Sequence, residues 1–159
     1  MYDADKPILV GLTLLISVLL GLLATGILGG DSLLPYQPEG VYLKTIYVDG
    51  TPVKVEVADT PEERVNGLSG RSQIPTNQGM LFVFETPGTY SIWMRNMQFS
   101  LDIFWIDADG VIIDMWENAH PDSYPQVYEP RSDALYVLET IAGFAEVYNI
   151  DIGDTVTGL

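Results

Sequence analysis

The stretch Trp93-Met94-Arg95-Asn96-Met97-Gln98-Phe99-Ser100-Leu101-Asp102 sets one cation, one carboxamide and one carboxylate among bulky apolar side chains. A polar group buried in such company without a partner costs roughly 1–3 kcal/mol, and a charged one more. Trp93, Arg95, Asn96 and Asp102 are therefore the candidate ligand-binding residues: they either fasten a turn or line a concave site. Alternate residues of a strand share a face, so along Leu101–Ile106 Asp102 lies with Phe104 and Ile106, opposite Leu101, Ile103 and Trp105. A carboxylate placed there needs Arg95, a backbone donor or a ligand.

Other chemistries find less support. His120 is the sole histidine and precedes Pro121 in a loop, and no G-x-S-x-G elbow is present, so no catalytic residue is assigned. Asp102, Asp114, Glu117 and Glu139 are the carboxylates that would have to converge for glycoside cleavage, but in so acidic a chain pairs arise by chance. Met80, Met94, Met97 and Met115 with His120 offer soft ligands to Cu(I); methionine as core filler is the simpler account, and no metal is assigned. Asp107-Ala108-Asp109-Gly110 is too short for a calcium loop, and Gly67-Leu68-Ser69-Gly70 lacks the lysine of a phosphate-binding loop, so no cofactor is expected. Trp93, Trp105, Trp116, Tyr124 and Tyr128 suit either a core or a site that holds small molecules, sugars included.

The net charge is −15, nearly all of it beyond Gly30, because the first thirty residues hold only Asp3, Asp5 and Lys6 as charged groups. From Leu101 onward Arg131 is the one cation against twelve carboxylates. So negative a surface repels nucleic-acid backbones and excludes DNA and RNA as partners. It fits adaptation to high salt or simply an acidic domain outside the membrane. The absence of cysteine removes disulfides, thiol catalysis and thiolate metal sites.

Residues 1–7 are a short leading segment. Ile8 to Leu28 run 21 residues without a charge, enough to span roughly 30 Å of hydrocarbon. A cleaved signal peptide has a shorter apolar run and a positive leader, so an uncleaved transmembrane helix is expected, with the domain beyond it outside the cell. Residues 29–40, rich in glycine and proline, read as a linker, and the folded domain is expected over 41–159. Within it, Val41–Val48 and Val53–Ala58 form a hairpin about Asp49-Gly50. Thr60-Pro61-Glu62-Glu63 opens a short helix that Gly67 or Gly70 ends. Met80–Phe84 reads as a strand buried on both faces, followed by strands at Tyr90–Met94, Leu101–Ile106 and Val111–Trp116. Asn118–Asp133 reads as a long loop, Leu135–Leu138 as a strand, Glu139–Tyr148 as a helix and Asp151–Val156 as a closing strand. The fold class is α+β: a compact, mainly antiparallel β barrel or sandwich with two short helices, preceded by one N-terminal transmembrane helix.

Glu63-Arg64-Val65-Asn66-Gly67-Leu68-Ser69-Gly70-Arg71, Gly79-Met80-Leu81-Phe82-Val83-Phe84, Trp93-Met94-Arg95-Asn96-Met97, Leu101-Asp102-Ile103, Tyr136-Val137-Leu138-Glu139, Gly143 and Gly153-Asp154 follow one pattern in order and spacing. In these motifs the chain resembles the DUF 192 family, over roughly Lys44 to Val156. The family usually has Trp-Met-Lys-Asn-Thr where this chain has Arg95 and Met97, so the threonine hydroxyl is missing here. The resemblance implies an exported or membrane-anchored, β-rich barrel with short helices and no established biochemical function.

The reading is a single-pass membrane protein whose extracytoplasmic domain is a small-molecule or glycan binding or accessory module of the cell envelope, using Trp93, Arg95, Asn96 and Asp102. The alternatives are a carboxylate-based envelope hydrolase and a structural partner of an envelope protein. The expected partners are the lipid bilayer and a small molecule, glycan or envelope protein.

Overall fold

The structure, a computed structural model, describes residues 42–159; the expected membrane helix at 8–28 and the linker at 29–40 lie outside the described residues. Among the described residues no helix is long and apolar enough to cross a membrane. The elements are β1 (Leu43–Val48), β2 (Thr51–Ala58), α1 (Pro61–Asn66), β3 (Gln78–Gly88), β4 (Ile92–Trp93), β5 (Leu101–Ile106), β6 (Ile112–Ala119), β7 (Val127–Tyr128), β8 (Ala134–Ile141), α2 (Phe144–Tyr148) and β9 (Val156–Thr157).

Seven strands make one sheet in the order β6-β5-β8-β3-β2-β1-β9, and β4 pairs with β7 apart from it. The fold is α+β and mostly β, with two short helices. The large sheet curls into a partial barrel. Its outer edges meet at one end through the Val111–Thr155 bridge, with Ile112 N–H donating to Asp154 O at 2.9 Å and Val156 N–H to Gly110 O at 2.7 Å. Gly110 sits at φ +82°, and a Cβ there would lie 2.6 Å from Val156 O, so this seam requires glycine. The pairs are antiparallel except β2 with β3, where α1 and the segment after it carry the chain back to the starting edge.

The β1–β2 turn has both Asp49 and Gly50 at positive φ, the geometry that an Asp-Gly hairpin favours. At the start of α1 the Thr60 hydroxyl accepts from Glu63 N–H at 3.2 Å, while the Glu63 carboxylate accepts from Thr60 N–H at 3.0 Å. This capping box holds a helix of only six residues, which Gly67 ends.

Both faces of the central strands are covered, which is why Met80–Phe84 of β3 is a continuous apolar run and β5 is buried along its whole length. Inside the curl Ile46, Val53, Val55, Leu81, Phe104, Ile106 and Leu138 pack together, with Phe144 and Ala145 of α2. On the outer face Met80, Phe82, Ile103, Trp105 and Val137 pack under Leu68, Ile74, Ile92, Met94 and Tyr128.

Three local readings change. The expected helix at Glu139–Tyr148 is strand as far as Ile141, because β8 bonds to β3 on one side and β5 on the other, and Gly143 at φ +89° then starts a helix of five residues. The Asn118–Asp133 loop is more ordered than proline content implies: β6 continues to Ala119, and Val127–Tyr128 pairs with Ile92–Trp93. The closing strand is confined to Val156–Thr157.

Asp102 is buried on the inner face, where its Oδ1 accepts from Asn118 N–H at 2.9 Å and its Oδ2 from Ala145 N–H at 3.0 Å. One carboxylate thereby ties the end of β6 and the first turn of α2 to β5. Asp102→Ala should destabilise the domain by about 3 kcal/mol, because two buried N–H groups lose their acceptor. Urea unfolding checks this, with Asp109→Ala on an exposed turn as the comparison.

Candidate functional site

The outer layer does not cover the sheet completely. Between α1 with the Gly67–Ser69 turn on one side, and Tyr90–Trp93 with Val127 on the other, lies a cleft of about 420 Å³. Its base is Phe82 and Phe84 of β3 and Glu139 of β8. The register explains this convergence: Glu139 is the cross-strand partner of Met80, and Val137 that of Phe82, so all four side chains point to the outer face. Pro61, Val65, Leu68, Ile92 and Met97 supply most of the remaining apolar lining. Trp105, buried beneath, donates its indole N–H to Tyr90 O at 2.8 Å and so fixes one wall.

Glu139 is 5% exposed and has no donor or cation against its carboxyl among the described residues. Burial pushes its pKa up to about 8, so at neutral pH it is a carboxylic acid, able to donate as well as accept. Arg64 is the other charged residue of the lining. Its Nη1 donates to Val83 O at 2.9 Å and also to Asp59 O, and its guanidinium lies 5.1 Å from the centre of the Phe84 ring, which itself stacks on Tyr90. The lining hydroxyls are engaged as well: Ser69 donates to Arg95 O at 3.0 Å, and Ser91 to Glu129 at 2.9 Å.

The four residues singled out in the sequence are placed differently. Trp93 lines the cleft, and Arg95, outside the lining, stacks its guanidinium over the Trp93 ring at 4.7 Å. The buried Nε of Arg95 has no hydrogen-bond partner among the described residues. Asn96 takes φ +58°, a conformation asparagine tolerates, and its carbonyl accepts from Gly70 N–H at 2.9 Å; that docks the turn onto the segment after α1. Asp102 lies on the inner face, away from the cleft, with both oxygens bonded to main chain.

The other carboxylates considered for hydrolysis do not converge. Asp114 is held by Arg131 through its main-chain N–H at 2.8 Å and its guanidinium at 2.8 and 2.9 Å, and these bonds keep its pKa below the usual carboxylate range. Glu117 is exposed, and only Glu139 of the four lines the cleft. His120 Nδ1 accepts from Asp122 N–H at 3.2 Å and caps a single 3-10 turn. Among the described residues no three His, Asp or Glu side chains cluster as metal ligands. The sequence signal for Glu139 was an isolated acid in the apolar run Leu135–Ile141, which a helical reading concealed.

The sequence model of the DUF192 family, described as "Uncharacterized ACR", matches residues 44–158. The chain belongs to the DUF192 family. A UPF0127 protein of Thermococcus sibiricus is 30% identical over 105 residues, 65% of this chain; the match spans 64% of that relative, less than two thirds of its length. A UPF0127 protein of Pyrococcus abyssi is 29% identical over 65% of this chain and 84% of its own. Two crystal structures share the fold. One is a protein described as a putative transcription regulator from Sinorhizobium meliloti, with TM-score 0.70 and 30% identity over 76% of this chain and 96% of its own. The other is a protein of unknown function from Novosphingobium aromaticivorans, with TM-score 0.71 and 28% identity over 80% of this chain and 94% of its own.

Because folded Glu139 holds its proton to about pH 8 and unfolded glutamate to about 4.5, its contribution to stability is full below about 4.5 and declines as pH rises through 8. Glu139→Gln should remove this decline, leaving the variant more stable than the parent at pH 9 by up to roughly 5 kcal/mol. Denaturant midpoints of both proteins at pH 5, 7 and 9 measure it; parallel pH curves would refute a buried titrating Glu139.

Proposed function

We propose that this domain is a small-molecule-binding module and that the cleft over β3 and β8 is its site, with Glu139 at the floor and Trp93, backed by Arg95, at the rim. The observation that carries the reading is the carboxyl at the base of an apolar cleft with no protein partner among the described residues. Such a group weakens the fold, whereas a ligand that bonds to it gains both orientation and selectivity. Asn96 shapes the turn that carries Arg95, whereas Asp102 lies on the inner face and takes no part in the cleft.

Binding is favoured over catalysis because carboxylate-based hydrolysis needs two facing acids, and this cleft has one. The lining is largely apolar, which suits a compact apolar metabolite better than a glycan. A role in transcription, as named for the Sinorhizobium relative, is not extended to this chain, since a net charge of −15 opposes nucleic acid. We infer further, from the uncharged run at 8–28, that the module is held on the outer side of a membrane.

Full-length protein in lipid nanodiscs should show a rise in melting temperature with some members of a library of small apolar metabolites. Val65→Trp, at a half-exposed position on the cleft wall, should abolish these shifts and leave the unliganded melting temperature within a few degrees. No stabilising compound, or stabilisation indifferent to Val65→Trp, would sink the reading. Protease added to intact cells should digest the domain; digestion only after lysis would reverse the assigned orientation.

A further inference from the structure

We propose that the ligand of this cleft is an uncharged molecule with a ring-sized apolar body and an amide-type edge, one acceptor beside one donor, which pairs with the carboxyl of Glu139. The proposal rests on the reading of the cleft as a binding site and adds the chemical class of its occupant.

Charge is the first consideration. Among the lining residues the groups able to carry charge are Glu139, Arg64 and Tyr90. Arg64 is committed to two backbone carbonyls and to the Phe84 ring, and the Tyr90 hydroxyl donates to Thr86 O. From the flanking strands Met80 and Ile103, the cross-strand partners of Glu139, face it with no charge, and β4 and β7 contribute Ile92, Trp93 and Val127. Arg95 lies beyond, stacked on Trp93. The floor therefore holds one acid in an otherwise apolar surrounding.

An anionic ligand would meet that acid with no free cation at the base. An ammonium would have to be desolvated together with an ionised carboxylate, a cost that a largely apolar lining repays poorly. A neutral carboxyl is one donor and one acceptor on the same carbon. An amide edge matches both at once, and neither partner carries charge into the cleft. Size is the second consideration. A volume near 420 Å³ lies toward the small end of ligand pockets, and the Phe82, Phe84, Tyr90 and Trp93 side chains present ring and edge surfaces to a planar apolar body.

Benzamide, benzylamine and benzoate share one ring and differ only in the polar group, so they separate the cases. Methyl NMR of the full-length protein in nanodiscs should show benzamide shifting Leu68, Ile92 and Met97 of the cleft while Ile46 and Val48 of the inner core stay fixed. Benzamide should bind about 30-fold more weakly at pH 9.5 than at pH 6.5, as Glu139 loses its proton. Glu139→Gln, which keeps a donor and an acceptor, should retain binding and lose the pH dependence; Glu139→Met should lose binding. Tighter binding of benzylamine or of benzoate than of benzamide at pH 6.5 overturns the proposal. So does equal binding of all three at both pH values, although the cleft would then still stand as a binding site. Absence of any cleft shift with all three probes overturns both.

Discussion

The pairing of β8 with β3 on one side and β5 on the other is the constraint from which the rest of the domain follows. A strand in the middle of a sheet must present alternate residues to opposite faces. Here Leu138 enters the inner core while Val137 and Glu139 go to the outer face. Neither face can be left to water, because each carries large apolar side chains. Two separate covers are therefore needed: the curl of the sheet itself with α2 on the inside, and the α1 segment with the β4–β7 pair on the outside.

The outer cover is built from short pieces, and short pieces do not tile a twisted surface completely. Helix α1 has six residues and the β4–β7 pair only two residues per strand. Helix α1 has no buried residue and is held by hydrogen bonds at its ends, while the β4–β7 pair packs only Ile92 and Tyr128 on the sheet. The capping box fixes α1, Trp105 fixes Tyr90, and Ser69 and Gly70 bind the Arg95–Asn96 turn. The cleft is the space these anchors leave over Phe82, Phe84 and Glu139. Its dimensions are thus set by backbone attachments, and its chemistry by the one acid that the register of β8 directs into it.

The polar residues set among hydrophobes divide accordingly. Asp102 and Asp114 are satisfied, the first by two main-chain donors and the second by Arg131, and both join distant parts of the chain. Glu139 is left without a partner among the described residues. Burial alone does not mark a functional group; a buried polar group without a hydrogen bond calls for an explanation, and the ligand proposed above supplies one for Glu139.

Local chemistry was legible in the sequence because it acts over a few residues. The Asp49-Gly50 hairpin, the Thr60 capping box, the double-sided burial of Met80–Phe84 and the placing of Asp102 with Phe104 and Ile106 all depend on near neighbours, and the family motifs are local as well. Tertiary structure alone decided that Glu139 belongs to a strand, that β2 and β3 run parallel, that Asp102 binds Asn118 and Ala145, and that Trp93 lines the same cleft as Glu139. Each of these depends on which strands become neighbours. Pairing joins residues dozens of positions apart, and short-range preference does not specify that choice.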